Sequence, residues 1–186
     1  MSEHPYRSFA QTFETALKKG RKLPLGGFSA LAPAPTSRKA PLAMLLSPHP
    51  DDECIIGVLP LRLMRKAGWR ALNVAVTLGS RLDRRKGRWQ ELRNACAFLG
   101  FDVTRVVAAG LDKINPKGRA SDPENWATAV AKLAELIQKK KPRVLLFPHL
   151  RDWNGTHIGT GLLAREALAK TDFDGFIVET EFWGAM

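Results

Sequence analysis

The stretch AMLLSPHPDDE, residues 43–53, joins a short apolar run to a cluster of ionisable side chains. Residues 43–47 are typical of a strand that is buried on both faces, as strands of parallel sheets are. One imidazole and three carboxylates follow at His49, Asp51, Asp52 and Glu53. Because adjacent carboxylates repel one another, this cluster indicates a divalent cation. The alternative is a solvated acidic turn that caps the next helix.

Similar apolar runs alternate with helical patterns along the rest of the chain. Strands are predicted at residues 43–47, 71–78, 104–108, 143–147 and 176–182. Apolar residues recur at helical spacing over residues 59–67, 89–99, 126–137 and 158–168. This alternation predicts an α/β, Rossmann-like three-layer domain with a mostly parallel central sheet, whose functional residues lie at the carboxyl ends of strands. The sequence contains neither GxGxxG nor GxxxxGK[ST], which disfavours nucleotide binding through either loop.

Residues 1–40 differ in character from the α/β pattern. Phe9, Phe13 and Leu17 recur at helical spacing and predict a short amphipathic helix that ends at Gly20. A Pro-rich stretch follows and is expected to be an extended lead-in. The sequence therefore predicts an N-terminal segment over 1–40 and one α/β domain over 41–186.

The composition limits the classes of partner. The 186 residues carry a net charge of +11, which raises nucleic acid, an anionic surface or an anionic substrate as partners. The basic run over residues 81–88 has only Trp89 beside it to stack on a base, so a solvated basic surface is expected and nucleic acid is not. No apolar run reaches the roughly 18 residues of a membrane helix, and no secretory signal is evident. A cytoplasmic protein without a transmembrane segment and with two buried thiols, Cys54 and Cys96, is expected, and its oligomeric state is left open.

A second polar cluster follows the strand predicted at residues 143–147. It contains His149, Asp152, Asn154 and His157, with a turn signal at Asn154-Gly155. If the two strands are neighbours in the sheet, their loops meet at one edge. Imidazole and carboxylate groups drawn from two such loops are what a catalytic zinc requires.

A predicted strand that runs into HPDDE and then a helix resembles the PIG-L/LmbE family of zinc-dependent N-acetylglucosaminyl deacetylases. The resemblance continues through Gly57, the T-x-G of residues 77–79, the R-x-x-E of residues 88–91 and a late histidine at His157. It extends from residue 42 to about residue 183.

The resemblance implies a role for each matching position. His49, Asp52 and His157 match the zinc ligands, although other divalent metals suit such a set. Asp51 matches the general base, and Arg88 matches an arginine that points toward substrate. The implied reaction removes an acyl group, acetyl in this family, from the amide nitrogen of a small amino-sugar conjugate. An amidase on a non-sugar amide and a non-catalytic binding domain are the alternatives.

The sequence departs from the family where the general acid is expected. Many members have a histidine there, whereas this chain has Asn154, which donates a hydrogen bond but cannot deliver a proton. His149, at a strand end, is the better candidate for the acid, and Asp152 beside it is predicted to contact substrate together with Arg88. Family members usually continue past the last strand, so the chain is expected to be either short or C-terminally truncated at Met186.

Overall fold

A computed structural model of the protein describes residues 6–24 and 37–181. The chain divides into two compact units, Met1–Ala30 and Leu31–Met186. In the first unit, helix α1 (Arg7–Gly20) coincides with the predicted amphipathic helix. Much of the predicted Pro-rich lead-in lies outside the described residues, and the domain boundary at residue 40 stays a prediction. None of the described helices is long and apolar enough to cross a bilayer.

The second unit alternates strands and helices as the sequence predicts. Its elements are β1 (Leu42–Ser47), α2 (Asp52–Ile56), α3 (Val58–Ala67), β2 (Arg70–Ala75), a 3₁₀ turn (Leu82–Arg84), α4 (Arg85–Leu99), β3 (Asp102–Arg105), α5 (Pro116–Ser121), α6 (Pro123–Lys140), β4 (Val144–Pro148), α7 (Gly155–Leu168) and β5 (Phe176–Thr180).

The five described strands form one sheet in the order β3-β2-β1-β4-β5. Every described pairing is parallel, and Met44 of β1 lies between Leu72 of β2 and Leu145 of β4. The predicted α/β, Rossmann-like fold is confirmed, with a sheet that is parallel throughout the described strands. Strands β1 and β4 are neighbours, so the two polar loops of the sequence leave the sheet side by side.

The sheet is covered on both faces, which explains why its central strands are apolar throughout. Leu42, Met44 and Leu46 pack into the core on the side of α6 and α7. Ala43 and Leu45 point to the opposite side, where they meet α2. A third cluster packs α3 and α4 against β2. Three layers therefore hold β1 at the centre of this unit.

Three short elements have no counterpart in the sequence prediction: α2, α5 and the 3₁₀ turn. The sequence does carry a signal for the start of α5, since Asn115 and Pro116 are residues that helices favour at the N-cap and first position. In the structure, the Asn115 side chain accepts a hydrogen bond from the Gly118 N–H. Strand β2 is shorter than predicted because, past Ala75, the chain bonds to the loop after β1 rather than to a strand. There the Thr77 N–H donates to the carbonyl of Pro48.

The expectation of two buried thiols is correct for Cys96 and wrong for Cys54, which is exposed. Helix α2 buries Asp52, Glu53 and Ile56, and Cys54 lies on its other side. Desolvation and the nearby Glu53 raise the pKa of Cys54 to about 11. The exposed thiol is therefore protonated at neutral pH.

Two helical glycines provide a matched test of the packing around α7. A Cβ at Gly159 would lie 2.4 Å from the carbonyl oxygen of Ile114, whereas a Cβ at Gly87 of α4 would meet nothing within 4 Å. We expect Gly159→Ala to lower the free energy of unfolding by about 1–3 kcal/mol, because backbone must shift. We expect Gly87→Ala to raise it by about 0.5–1 kcal/mol. Urea denaturation measures both, and equal stability of the two variants would contradict the packing.

Candidate metal centre

The candidate site lies at the carboxyl edge of the sheet, where β1 and β4 end side by side. The loop after β1 carries His49 and Asp51 and leads into α2, whose first residue is Asp52. The loop after β4 leads into α7, and His157 lies in the first turn of that helix. The side chain of Asn154 caps α7 by accepting a hydrogen bond from the Thr156 N–H at 2.9 Å. Because α2 and α7 begin just after the adjacent strands β1 and β4, the two polar clusters lie together.

His49, Asp52 and His157 form a compact group with one ligand atom from each within 4.8 Å of the others. Nδ1 of His49 lies 3.4 Å from one carboxylate oxygen of Asp52, and Nε2 of His157 lies 3.6 Å from the other. Asp52 is 4% exposed and His157 is 1% exposed. The backbone N–H of His49 also donates to Asp52 at 2.7 Å. Asp52 and His157 are therefore held in the core, while the His49 side chain remains 21% exposed.

Asp152 determines how His157 is presented to this group. Its side chain is fully buried, and one oxygen lies 3.1 Å from Nδ1 of His157. Its other oxygen accepts a hydrogen bond from the Asn154 N–H at 2.8 Å. A carboxylate on one ring nitrogen favours the tautomer whose other nitrogen has a free lone pair. Asp152 is buried behind His157, whereas the sequence predicts that it contacts substrate.

The donor set has the chemistry of a divalent metal site. Zinc bonds of about 2.0–2.1 Å in a tetrahedron hold neighbouring ligand atoms roughly 3.4 Å apart. Each histidine nitrogen lies 3.4 or 3.6 Å from an oxygen of Asp52, and one atom from each of the three residues lies within 4.8 Å of the others. Asp52, Glu53 and Asp152 are all buried carboxylates, and buried negative charge requires compensation. The group of His49, Asp52 and His157 could thus bind a metal ion, as the sequence predicts.

Asp51 differs from its neighbours because its side chain faces outward. It is 71% exposed, and its backbone has φ = 121°, which only a well-supported non-glycine residue adopts. Support comes from Glu53, whose carboxylate accepts the Asp51 N–H at 2.9 Å. Partial desolvation and the adjacent Asp52 raise the pKa of Asp51, while Arg88 opposes that rise. The geometry leaves one carboxylate accessible beside the buried group.

Arg88 of α4 hydrogen-bonds to the loop that carries Asp51. Its Nη2 donates to the carbonyl of Pro50 at 2.7 Å and lies 3.4 Å from the Asp51 carboxylate. On the other side of this loop, the Thr77 hydroxyl donates to the carbonyl of Pro48 at 2.7 Å. The loop is therefore held from both sides at backbone carbonyls.

A cleft of about 690 Å³ opens next to His49 and Arg88. Its other lining residues are Thr77, Gly79, Ser80, Leu82, Arg85, Leu111, Asp112, Lys113, Ile114, Asn115 and Thr156. The sequence marks residues 110–124 as a loop on which specificity depends, but it does not predict the shape of the wall over residues 111–115. Arg85, predicted to be part of a solvated run, is largely buried; it forms an ion pair with Asp112 and donates to the carbonyl of Gly79 at 3.0 Å.

The two candidates for the general acid occupy different places. The Oδ1 atom of Asn154 is used in capping α7. Nδ1 of His149 accepts the Arg151 N–H at 2.8 Å, so the neutral ring carries its proton on Nε2. That Nε2 is buried without a hydrogen-bond partner among the described residues, and the nearest carboxylate oxygen recorded for it belongs to Glu181 at 3.8 Å. His149 is not among the residues that line the cleft.

A protein-family comparison bears on this site. The family model described as PIG-L, GlcNAc-PI de-N-acetylase, matches residues 44–168, which include all three potential ligands and Asp51. No curated protein matches the chain significantly.

Solved structures share the fold at low sequence identity. The conserved protein TT1542 from Thermus thermophilus is 23% identical, with a TM-score of 0.51 over 74% of this chain and 62% of its own. GalB, a 4-carboxy-2-hydroxymuconate hydratase from Pseudomonas putida, is 19% identical, with a TM-score of 0.56 over 73% and 62%. The N,N'-diacetylchitobiose deacetylase from Pyrococcus horikoshii is 18% identical, with a TM-score of 0.51 over 91% and 60%. The chain thus spans about three fifths of the length of these proteins.

The contact between Asp152 and His157 predicts an effect on metal affinity. We expect Asp152→Asn to weaken zinc binding about 10–100-fold, because the neutral amide no longer supports the ligand's basicity and orientation. Titration against a competing chelator measures the affinity. Asp83→Asn is the matched control, since Asp83 is exposed and pairs only with Arg81 among the recorded ion pairs. An unchanged affinity in folded Asp152→Asn would show that Asp152 does not support the site.

Proposed function

Because the chain belongs to the PIG-L family, we propose that it is a zinc-dependent hydrolase that removes an acyl group, in the first instance acetyl, from the amide nitrogen of an amino sugar or related conjugate. One observation carries the proposal. Asp52 and His157 are buried, and His49 beside them is partly exposed and lines the cleft. The exposed carboxylate of Asp51 lies next to this group, 3.4 Å from Arg88, which also lines the cleft. A binding module has no use for that exposed carboxylate, whereas hydrolysis requires a base.

The three ligand residues would hold the cation, and Asp152 would act as a positioning residue through His157. When bound, a divalent cation would lower the pKa of the attacking water, toward about 7 for zinc, and would stabilise negative charge on the carbonyl oxygen of the substrate. Asp51 accepts a proton from the attacking water while the new C–O bond forms. The C–N bond then breaks, the nitrogen takes up a proton, and the carboxylic acid and the free amine are released.

Arg88 has two roles in the proposal. Its grip on the Pro50 carbonyl keeps Asp51 in its unusual backbone conformation, and its partly exposed guanidinium faces the cleft, where it can meet the substrate. The positive charge also favours the ionised form of Asp51, because it opposes the rise in pKa that desolvation and Asp52 cause. Arg88 is therefore a positioning residue for the base as well as a candidate substrate contact.

The proton for the leaving nitrogen is assigned to His149, with Asn154 as a hydrogen-bond donor to substrate. His149 has its Nε2 proton uncommitted among the described residues, which supports the assignment. Because His149 does not line the cleft, the assignment requires the leaving nitrogen of a substrate bound in the cleft to lie beyond it, on the side of β5. A rate that is unchanged in His149→Ala would reject this assignment and leave Asp51 as the group that returns the proton.

The base predicts the outcome of a single substitution. We expect Asp51→Asn to bind zinc as the wild type does and to lose about 100- to 10,000-fold in kcat, because the amide cannot accept a proton. The assay follows release of both acetate and amine from N-acetylated sugars and from N-acetylated non-sugar amides. Measuring both products matters because a hydratase shares this fold, and hydration would release neither.

Asp83→Asn serves again as a control that should retain full activity. If zinc-loaded wild type releases nothing from any substrate of the panel, the binding-domain alternative is favoured. Preferential release from the non-sugar amides would favour an amidase.

The hydrogen bond from Arg88 to the Pro50 carbonyl predicts an effect of substituting Arg88 on the rate. We expect Arg88→Lys to lower kcat about tenfold or more with zinc affinity unchanged, because lysine keeps the charge but lacks the rigid guanidinium whose Nη2 reaches both the Pro50 carbonyl and the Asp51 carboxylate. Arg93→Lys, at an exposed position of the same helix, is the matched control. Full activity in Arg88→Lys would show that charge alone suffices.

A further inference from the structure

Helix α1 presents an apolar stripe to its surroundings. Phe9, Phe13 and Leu17 follow one another at spacings of four residues, which places them on one face. They are 71%, 62% and 51% exposed, respectively, and no residue of the helix is buried. An exposed stripe that contains two phenylalanines is costly in water, so it indicates a surface that binds something.

The charge on α1 and the residues after it is strongly positive. Residues 7–22 contain five Lys or Arg and a single acidic residue, Glu14. Glu14 is already paired with Lys18 at 2.6 Å. Lys18 and Lys19 lie in the last turn, and Arg21 and Lys22 follow directly. Aromatic and aliphatic side chains thus occupy one face, with basic side chains beside and beyond it.

We propose that α1 binds the surface of an anionic lipid bilayer, with Phe9, Phe13 and Leu17 inserted at the boundary between headgroups and acyl chains. An amphipathic helix with a Phe/Leu face and a basic polar face is the pattern of an interfacial membrane helix. Its 14 residues are too few to cross a bilayer, and none of the described helices has the length and apolarity for a span.

Charge complementarity selects lipid over the other occupants of such a face. Each Lys or Arg near an anionic leaflet adds to the attraction, and the whole chain, at +11, is drawn to the same surface. Nucleic acid would use the charge but would leave the apolar stripe in water. A groove on a partner protein would use the stripe but gives no reason for four basic residues within positions 18–22.

Vesicle co-sedimentation of the full chain tests the proposal. We expect binding to vesicles of phosphatidylcholine mixed with phosphatidylglycerol, little binding to pure phosphatidylcholine, and loss of binding at high salt, because the attraction is screened. We expect the double variant Lys18→Glu/Lys19→Glu to weaken binding to the anionic vesicles about 30-fold or more. Phe9→Ser/Phe13→Ser should weaken it about tenfold or more.

Matched variants on α3 separate the helix from the overall charge. Arg65→Glu/Lys66→Glu changes the net charge by the same amount at exposed positions of the α/β unit, and Val58→Ser removes an exposed apolar side chain there. Both controls should bind the anionic vesicles nearly as the wild type does. Binding that falls equally in the α3 and α1 charge variants would overturn the proposal, since net charge alone would then explain it.

Other occupants give distinct results, and each would overturn the proposal. A concentration-dependent dimer that is abolished by Phe9→Ser/Phe13→Ser, together with no vesicle binding, would show that the stripe packs against a second copy of the chain. Binding to pure phosphatidylcholine as strong as to anionic vesicles would remove the role of the basic residues. Amine release is measured on the same variants in solution, so a failure of the hydrolase proposal is recorded separately.

Discussion

The site depends on one buried carboxylate, Asp52, which stands between two histidines that come from different strands. His49 belongs to the loop after β1 and His157 to the helix after β4, so the contact with Asp52 ties the two central strands together at their carboxyl edge. Asp152 holds His157 from behind. Two buried carboxylates and two imidazoles make a negatively charged core when the histidines are neutral. A divalent cation is the simplest group that balances it.

The same arrangement explains why consecutive aspartates have opposite surroundings. Asp52 begins α2 and turns inward, so the preceding residue must leave the helix, and Asp51 does so with φ = 121°. Glu53 returns to accept the Asp51 N–H, and Arg88 holds the carbonyl before it. The side chains of Glu53 and Arg88 thereby stabilise the unusual backbone conformation of Asp51. The result is a ligand and an accessible base at adjacent positions, which a regular helix or strand cannot provide.

The sequence predicts the alternation of strands and helices and the two polar clusters at strand ends, and the resemblance to a family supplies the three potential ligands. The adjacency of β1 and β4 is only a condition at the level of sequence, and the structure fulfils it. The apolar runs of β1 and β4 are unbroken because both faces are covered, and the polar clusters come directly after them. Other features required the structure. The role of Asp152 depends on a buried contact to His157, which spacing does not reveal. The wall over residues 111–115 is irregular and is held by Arg85 and Asp112, residues far apart in the chain. Irregular segments fixed by long-range ion pairs carry no periodic signal.

The residues of the candidate site fall into a buried set and an exposed set. The groups that could hold a metal are anchored on the two central strands, where packing fixes them within three layers. The groups that would meet a substrate lie outside that core: Asp51, Arg88 and the cleft wall. Asn154, where many members of the family have a histidine, serves as the cap of α7. Because Asp52 and His157 are packed into the core beside the central strands, a substitution among the outer residues need not repack them.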